Sequence, residues 1–394
     1  MTRAPRPWLA LLAIVAWASP AVTAQAPAGC VAAPAVADTV YRRTIAAAER
    51  LVCDSLLPRI PGVQVAVAVD GRLVWSEGFG YADLEARVPV TRAAQFRIGS
   101  VSKPLTAAAV ALLVEQGALD LDAPVQRYVP AFPEKPWPIT IRELAGHTSG
   151  IRHYRGDEFL LNQPFRSVTE GLAVFAGDSL LFEPGTRFSY SSYGWCLISA
   201  VVEGASHEEF LAYMSRHVLG PLGLTHTAPD RVDSVVPDRT RFYDRDSAGG
   251  GVHPSPPVDN SYKWAGGGFI STAEDLVHFG SAFLHPGFVR PETLTLLFTS
   301  QQTRDGRPTG YGVGWFLATD SLGHHRAFHG GSSVGGSTAF GLDRDSHVVF
   351  AITTNLTDAP LGPARRIQEW FDAATSCLST ASRRTHPQPA ACSP

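Results

Sequence analysis

The spacing of apolar residues changes several times along the chain, and each change marks an element. Val40, Ile45, Ala48, Leu51 and Leu56 recur at near-helical spacing, which predicts an amphipathic helix over 37–57 ending before Pro58. The period then drops to two. Val63, Val65, Val67 and Val69 alternate up to Asp70-Gly71, and Leu73-Val74-Trp75 resume the extended pattern beyond it. Asp-Gly between two such runs is the strongest short hairpin signal, so an antiparallel pair is expected here. Towards the other end, Tyr311–Leu317, Ser337–Leu342 and His347–Thr353 read as three more strands, followed by a helix starting near Pro363 and reaching Ser376. The intervening stretch, 100–300, is mostly helical in pattern and is broken by Gly- and Pro-rich loops at 130–138, 183–187 and 245–257.

Strands at opposite ends of a chain bury their apolar faces by meeting in one sheet. The expected fold is therefore α+β: an antiparallel sheet from 58–99 and 305–377, flanked by terminal helices, with the helical region 100–300 inserted between its halves. This makes 25–377 one domain. The Ala/Pro/Ser-rich segment 378–394 reads as a flexible tail, and no internal repeat is present.

The first residues obey different rules. Arg3 and Arg6 precede an apolar run from Trp8 to Ala18, and Val22-Thr23-Ala24 puts small residues where signal peptidase cleaves, so 1–24 reads as a signal peptide and the protein as exported, periplasmic or secreted. The run is about eleven residues against the roughly 20 needed to cross a bilayer, so a retained anchor is the lesser alternative, as is lipidation at Cys30. No stable membrane span is expected after cleavage. Export permits disulfides: Cys377 with Cys392 and Cys30 with Cys53 are the candidate pairs, while Cys196, in an apolar helical stretch, reads as a buried thiol.

Composition removes whole classes of partner. Thirty-three basic residues stand against 36 acidic ones, a net charge of −3, and loss of Arg3 and Arg6 with the signal moves it to −5. Nothing here supplies the basic field that holds nucleic acid or an anionic membrane. The 13 histidines include no H-E-x-x-H, and none of the five cysteines forms a C-x-x-C pair, so neither a metal nor an organic cofactor is expected. A small molecule or a peptide remains as substrate; the oligomeric state is left open.

The sharpest local signal is Ser100-Val101-Ser102-Lys103, opening a strongly apolar helix from Pro104 to Gln116. Residues three apart share a helix face, so the lysine can reach the serine hydroxyl, and the helix N-terminus favours negative charge developing there. Further on, Pro184-Gly185-Thr186 leads through Ser189-Tyr190-Ser191-Ser192 into another apolar helix, placing Tyr190 at a loop-to-helix junction. Much later, His329-Gly330-Gly331-Ser332 precedes a strand, with glycines that admit a close approach to the backbone.

Taken in order, these stretches resemble the motifs S-x-x-K, Y-x-N and K-T-G or H-x-G of the serine β-lactamase and penicillin-binding-protein superfamily, in its class C-like branch. The resemblance spans roughly residues 40–375 and includes Leu144–Ile151, Ala265–Leu276 and Tyr311–Trp315. Ser149–Tyr154 and Val258–Trp264 further resemble the mitochondrial serine β-lactamase-like proteins of animals. The resemblance implies the β-lactamase/DD-peptidase-like fold. It also implies Ser100 as the acylated nucleophile, Lys103 as its proton-handling partner and Tyr190 as the shuttle to the leaving group, a phenol that can act as a base at neutral pH only if a cation such as Lys103 favours its phenolate. The backbone N–H groups of Ser100 and Ser332, beside Gly331, would form the oxyanion hole.

Two departures bear on the substrate. Ser192 stands where the family has Asn, and a short hydroxyl neither reaches as far nor offers two donors, which argues against drug hydrolysis. His329 replaces the lysine of K-T-G, exchanging a fixed charge for one expected to titrate near neutrality. The expected function is a serine hydrolase forming an acyl-enzyme on an amide or ester, peptidase- or esterase-like. The alternatives are a noncatalytic binding module of the same fold and a true β-lactamase or D-Ala-D-Ala carboxypeptidase. Gly331-Ser332-Ser333-Val334-Gly335 matches the elbow of the α/β-hydrolases, but a strand rather than a helix follows it. His147-Thr148 reads as structural packing, Ser271-Thr272-Ala273-Glu274 as a capping box, and Tyr262-Lys263-Trp264 either as cleft lining or as a loop anchor.

Overall fold

Asp70 and Gly71 adopt φ of 50° and 76°, the left-handed pair that a tight hairpin requires, and the hairpin they close lies in the main sheet. The computed structural model describes residues 30, 35–246, 251–320 and 323–382; the expected signal peptide and positions 383–394 of the expected tail lie outside the described residues. In chain order the elements that build the site are β1 (Val36–Ala37), α1 (Arg42–Leu51), β2 (Gly62–Val69), β3 (Arg72–Asp83), β4 (Phe96–Arg97), α2 (Ser102–Glu115) and α3 (Ser192–Ser206). These are followed by β5 (Ala228–Pro229), β6 (Phe269–Ser271), α4 (Ala273–Ser281), β7 (Phe316–Thr319), β8 (His325–Ser333), β9 (Gly336–Asp343), β10 (Val348–Thr354) and α5 (Arg365–Ser382).

The main sheet runs β1-β3-β2-β10-β9-β8-β7, with Val88–Pro89 pairing on β3. Every pairing is antiparallel, and β2 meets β10 with Val65 opposite Ile352, so the two ends of the chain close one sheet. Alternation on β2 sorts residues between two cores. Val63, Val65 and Val67 pack with Ile45, Leu51, Trp75 and Phe371 beneath α1 and α5, and Trp75 stacks on Phe371 at 6.2 Å. Ala66 and Ala68 face the helical region with Leu276 and Phe279 of α4. A second small sheet, β4-β6-β5, ties the segment before Ser100 to that region. This is the expected α+β fold, with helices on both faces of the sheet.

Several local expectations change. Of the expected 311–317 only Phe316 and Leu317 are strand, in an element that runs on to Thr319, because Gly314 takes φ of 81° against Ala107 and Trp195, leaving Tyr311–Trp315 as a buried loop. His329-Gly330-Gly331-Ser332 lies inside β8 rather than ahead of a strand. The cap of α4 is Thr272, whose hydroxyl accepts the Asp275 N–H, while Glu274 turns away to Arg92. Helix α5 continues to Ser382, so 378–382 is helical and not tail. Cys30 and Cys53 are joined, Cys377 is also disulfide-bonded while Cys392 lies outside the described residues, and Cys196 is a buried free thiol. Away from the cleft, the fold assembles two His/Asp groups that no local motif announces: Asp70 with His285 and His347, and Asp320 with His324 and Asp343.

Candidate active site

Ser100 sits in the tight turn that leads into α2, held from both sides. Ser102 Oγ donates to Gly99 O at 2.8 Å and accepts from Phe269 N at 3.2 Å, tying the turn to β6. Before the turn, Arg97 is buried with Asp230, its Nε donating to the carboxylate at 2.6 Å, and Asn260 donates to the same carboxylate at 2.8 Å. Two glycines let β8 press against the turn. A Cβ on Gly331 would lie 1.9 Å from Ile98 O, and one on Gly99, itself at φ 50°, would lie 2.8 Å from Ser332 N. The backbone of Gly331-Ser332 is thereby brought against Ser100.

Lys103 is fully buried beneath Ser100. Its Nζ donates to Gly266 O at 2.6 Å and lies 2.9 Å from Ser100 Oγ and 3.1 Å from Ser192 Oγ. Burial disfavours the ammonium and brings Lys103 down to about 7, with Cys196 pulling the other way and Lys263 adding to the drop. A neutral amine has two N–H bonds and one lone pair. With Gly266 O able only to accept and Ser192 Oγ taking the second N–H, the lone pair is left for the Ser100 hydroxyl.

Tyr190 stands just before the cap of α3, where Ser191 Oγ accepts the Gly194 N–H at 3.0 Å. Its ring is 4.9 Å from Lys103 Nζ and is packed by His147 at 4.3 Å and, stacked, by Phe316 at 6.1 Å. Burial pushes its phenol well above the ordinary range, and the hydroxyls of Ser100 and Ser192 offset this only in part. Burial thus works against the phenolate that a base role for Tyr190 would require.

His329 is corrected most. It does not line the cleft; its buried ring lies behind Tyr190, at 6.1 Å from it. Nδ1 is 2.6 Å from Gly330 O, which only accepts, so Nδ1 carries the hydrogen and Nε2 accepts from the Tyr311 hydroxyl at 3.1 Å. Burial, and then Lys103, hold it down to about 3, so it neither titrates near neutrality nor offers charge to a substrate. His147 is buried, accepts the Ser191 N–H at 3.1 Å through Nδ1 and packs against Tyr190 and Tyr311, as a packing residue would.

The cleft, about 680 Å³, brings together Ser100, Tyr190, Ser192, Gly331 and Ser332 with groups to which the sequence assigned no site role: His153 and Tyr154 of the resembling stretch 149–154, Phe159, Thr338 and Asp358. His153 accepts the Ser192 N–H at 3.1 Å, and Ser332 Oγ donates to Asp358 at 2.8 Å. Lys263 lines the cleft, Tyr262 is anchored by its hydroxyl to Glu158 O at 2.8 Å, and Trp264 stands outside. The His-Tyr run 153–154 was the available signal for that wall; nothing local marks Asp358.

This fold, with serine, lysine and tyrosine converging under one strand, is that of the penicillin-recognising serine hydrolases. A family model described as Beta-lactamase matches residues 49–374, and the chain belongs to that family. Among curated proteins it is similar to the human serine beta-lactamase-like protein LACTB, mitochondrial, at 34% identity over 372 residues, covering 71% of this chain and 68% of that protein. Penicillin-binding protein 4* of Bacillus subtilis is 28% identical over 297 residues, covering 70% and 63%. Among solved structures it is similar to an octameric penicillin-binding protein homologue from Pyrococcus abyssi, with a TM-score of 0.70, 25% identity and coverage of 85% and 77%.

Proposed function

We propose that the protein is a serine hydrolase that forms an acyl-enzyme on an amide or ester substrate, with peptidase- or esterase-like rather than antibiotic-hydrolysing activity. The observation that carries this is the buried Lys103 Nζ, 2.9 Å from Ser100 Oγ, with its other contacts directed to Gly266 O and Ser192 Oγ. Lys103 takes the Ser100 proton as Oγ attacks the carbonyl. The Ser100 and Ser332 N–H groups, brought together by Gly99 and Gly331, stabilise the oxyanion, each donor worth ~3–4 kcal/mol. Tyr190 protonates the leaving group, and Lys103 reprotonates it; in the second half Tyr190 and Lys103 deprotonate water for attack on the acyl carbonyl. The serine at 192 and the withdrawal of His329 from the cleft remove two of the contacts by which a β-lactam would be held. A noncatalytic binder has no use for the lysine and tyrosine that turn the enzyme over. Ser100→Ala tests the reading: hydrolysis and covalent labelling should vanish while the far-UV dichroism stays unchanged, and residual turnover at the wild-type rate would overturn it.

Export through 1–24, leaving 25–377 as the catalytic domain, belongs to the same proposal. It is supported by the arginine-flanked apolar run and by the disulfides at Cys30–Cys53 and Cys377. The human relative is named as mitochondrial, a different compartment, so the test is the mature N-terminus of protein recovered from periplasm or medium, which should be Gln25; recovery only from cytoplasm with Met1 intact would reject export.

A further inference from the structure

At the end of the main sheet remote from Ser100, three segments of the chain bring polar side chains to one point. Asp70 lies in the turn between β2 and β3, His347 in the turn between β9 and β10, and His285 a few residues beyond α4. The strand register separates them from the cleft: Val69 pairs with Val348 beside these turns, whereas Ser332, Ser337 and Thr354 pair across the other end. His285 Nε2 lies 2.9 Å and His347 Nδ1 3.4 Å from the same carboxylate oxygen, Asp70 Oδ1, and the donor atoms of the three residues all fall within 4.8 Å of one another. Zinc takes imidazole nitrogen and carboxylate oxygen at about 2.0–2.1 Å, which puts two donors of a tetrahedron about 3.3 Å apart. The 3.4 Å separation is long for an N–H···O hydrogen bond and right for such an edge.

The donors are held before any ion arrives. Asp70 N–H donates to His347 O at 2.9 Å, joining the two turns, and Phe283, two residues ahead of His285, is buried against Phe279 and Trp315. Asp70 and His285 are exposed and His347 is half-buried, so an ion enters from solvent and keeps water in its remaining position. The other His/Asp group lacks this freedom, because Arg326 Nη2 is 3.0 Å from Asp320 and its Nε 3.5 Å from Asp343, a cation already in place. We propose that Asp70, His285 and His347 form a divalent transition-metal site of the zinc class, and that the ion clamps the two turns to the segment behind α4. Two imidazoles and one carboxylate suit Zn²⁺ over Mg²⁺ or Ca²⁺, which take oxygen. Each neutral ring needs only to carry its hydrogen on the far nitrogen, Nδ1 of His285 and Nε2 of His347, leaving the near lone pair for the metal.

The test uses tag-free protein, stripped with a chelator, dialysed and titrated calorimetrically with ZnCl₂ at neutral pH. One saturable site is expected, and saturating Zn²⁺ should raise Tm, since the ion binds the folded chain. His285→Ala should weaken binding about tenfold or more and remove the rise in Tm. His347→Asn should do the same, asparagine being chosen because it tolerates the φ of 59° at that turn. Asp70→Asn, which suits its own turn, guards against a misfolded variant and should weaken binding likewise. Co²⁺ in place of Zn²⁺ should give the visible absorption of a tetrahedral site in the wild type and lose it in the variants. No saturable binding to the wild type, or an affinity unchanged in all three variants, overturns the site; binding that leaves Tm unmoved overturns the clamp.

Discussion

At the level of single residues, the account turns on which of two neighbours holds a proton. Burial lowers Lys103 to about 7 and raises Tyr190, so the active form needs the lysine neutral and the tyrosine protonated. Activity should therefore fall as pH drops through about 7, because the amine that must accept the Ser100 proton becomes an ammonium. A pH profile of kcat/KM with its acid limb near 7 supports this; a flat profile from 5 to 9 opposes it. Tyr190→Phe should lower kcat by about 10²–10⁴-fold with little change in KM, read from steady-state kinetics. The serine, lysine and tyrosine were legible in the sequence because each lies in a short motif at the mouth of a helix. Their protonation was not, since the groups that bury Lys103 arrive from Ser192 and Gly266, far along the chain. His329 misled for the same reason: whether a strand residue faces the cleft or the core depends on register, which the glycines beside it do not announce.

At the level of elements, the site exists because β8 is pressed onto the turn ahead of α2. Gly331→Ala would place a methyl 1.9 Å from Ile98 O and must push the strand off the turn. The expected cost is about 1–3 kcal/mol of stability with a disproportionate loss of acylation rate, measured by urea denaturation and by labelling kinetics on the same preparation. The Arg97–Asp230 pair anchors the other side of the turn, and Asp230→Ala leaves a guanidinium buried without its carboxylate, an expected loss of about 3–5 kcal/mol. A change under about 1 kcal/mol would show the pair to be incidental. The β2–β3 hairpin was plain in the sequence from valine alternation and Asp-Gly. Strand β8 was not, because His-Gly-Gly-Ser carries no apolar alternation and becomes strand through its pairing with β9, while the first half of β8 also pairs with β7.

For the molecule as a whole, strands from both ends close one sheet and the helical region between them forms the opposite wall of the cleft. That arrangement followed from the placement of the periodic segments, since strands at either end can bury their faces only together. The exit of α5 was lost to composition, because Ala and Ser suit a helix as well as a tail. Cys30–Cys53 closes 23 residues over α1, and Cys53→Ser should lower stability by ~2–4 kcal/mol in thermal unfolding under oxidising conditions. No change relative to the wild type would show that the bond contributes nothing to the stability of the fold. Acylation of Ser100 with Lys103 as its base is read out by intact-mass spectrometry after incubation with a fluorophosphonate. The account predicts one adduct on the wild-type chain, none on Ser100→Ala, and severely slowed labelling on Lys103→Met; an unmodified wild-type chain, or an adduct that persists in Ser100→Ala, would contradict it.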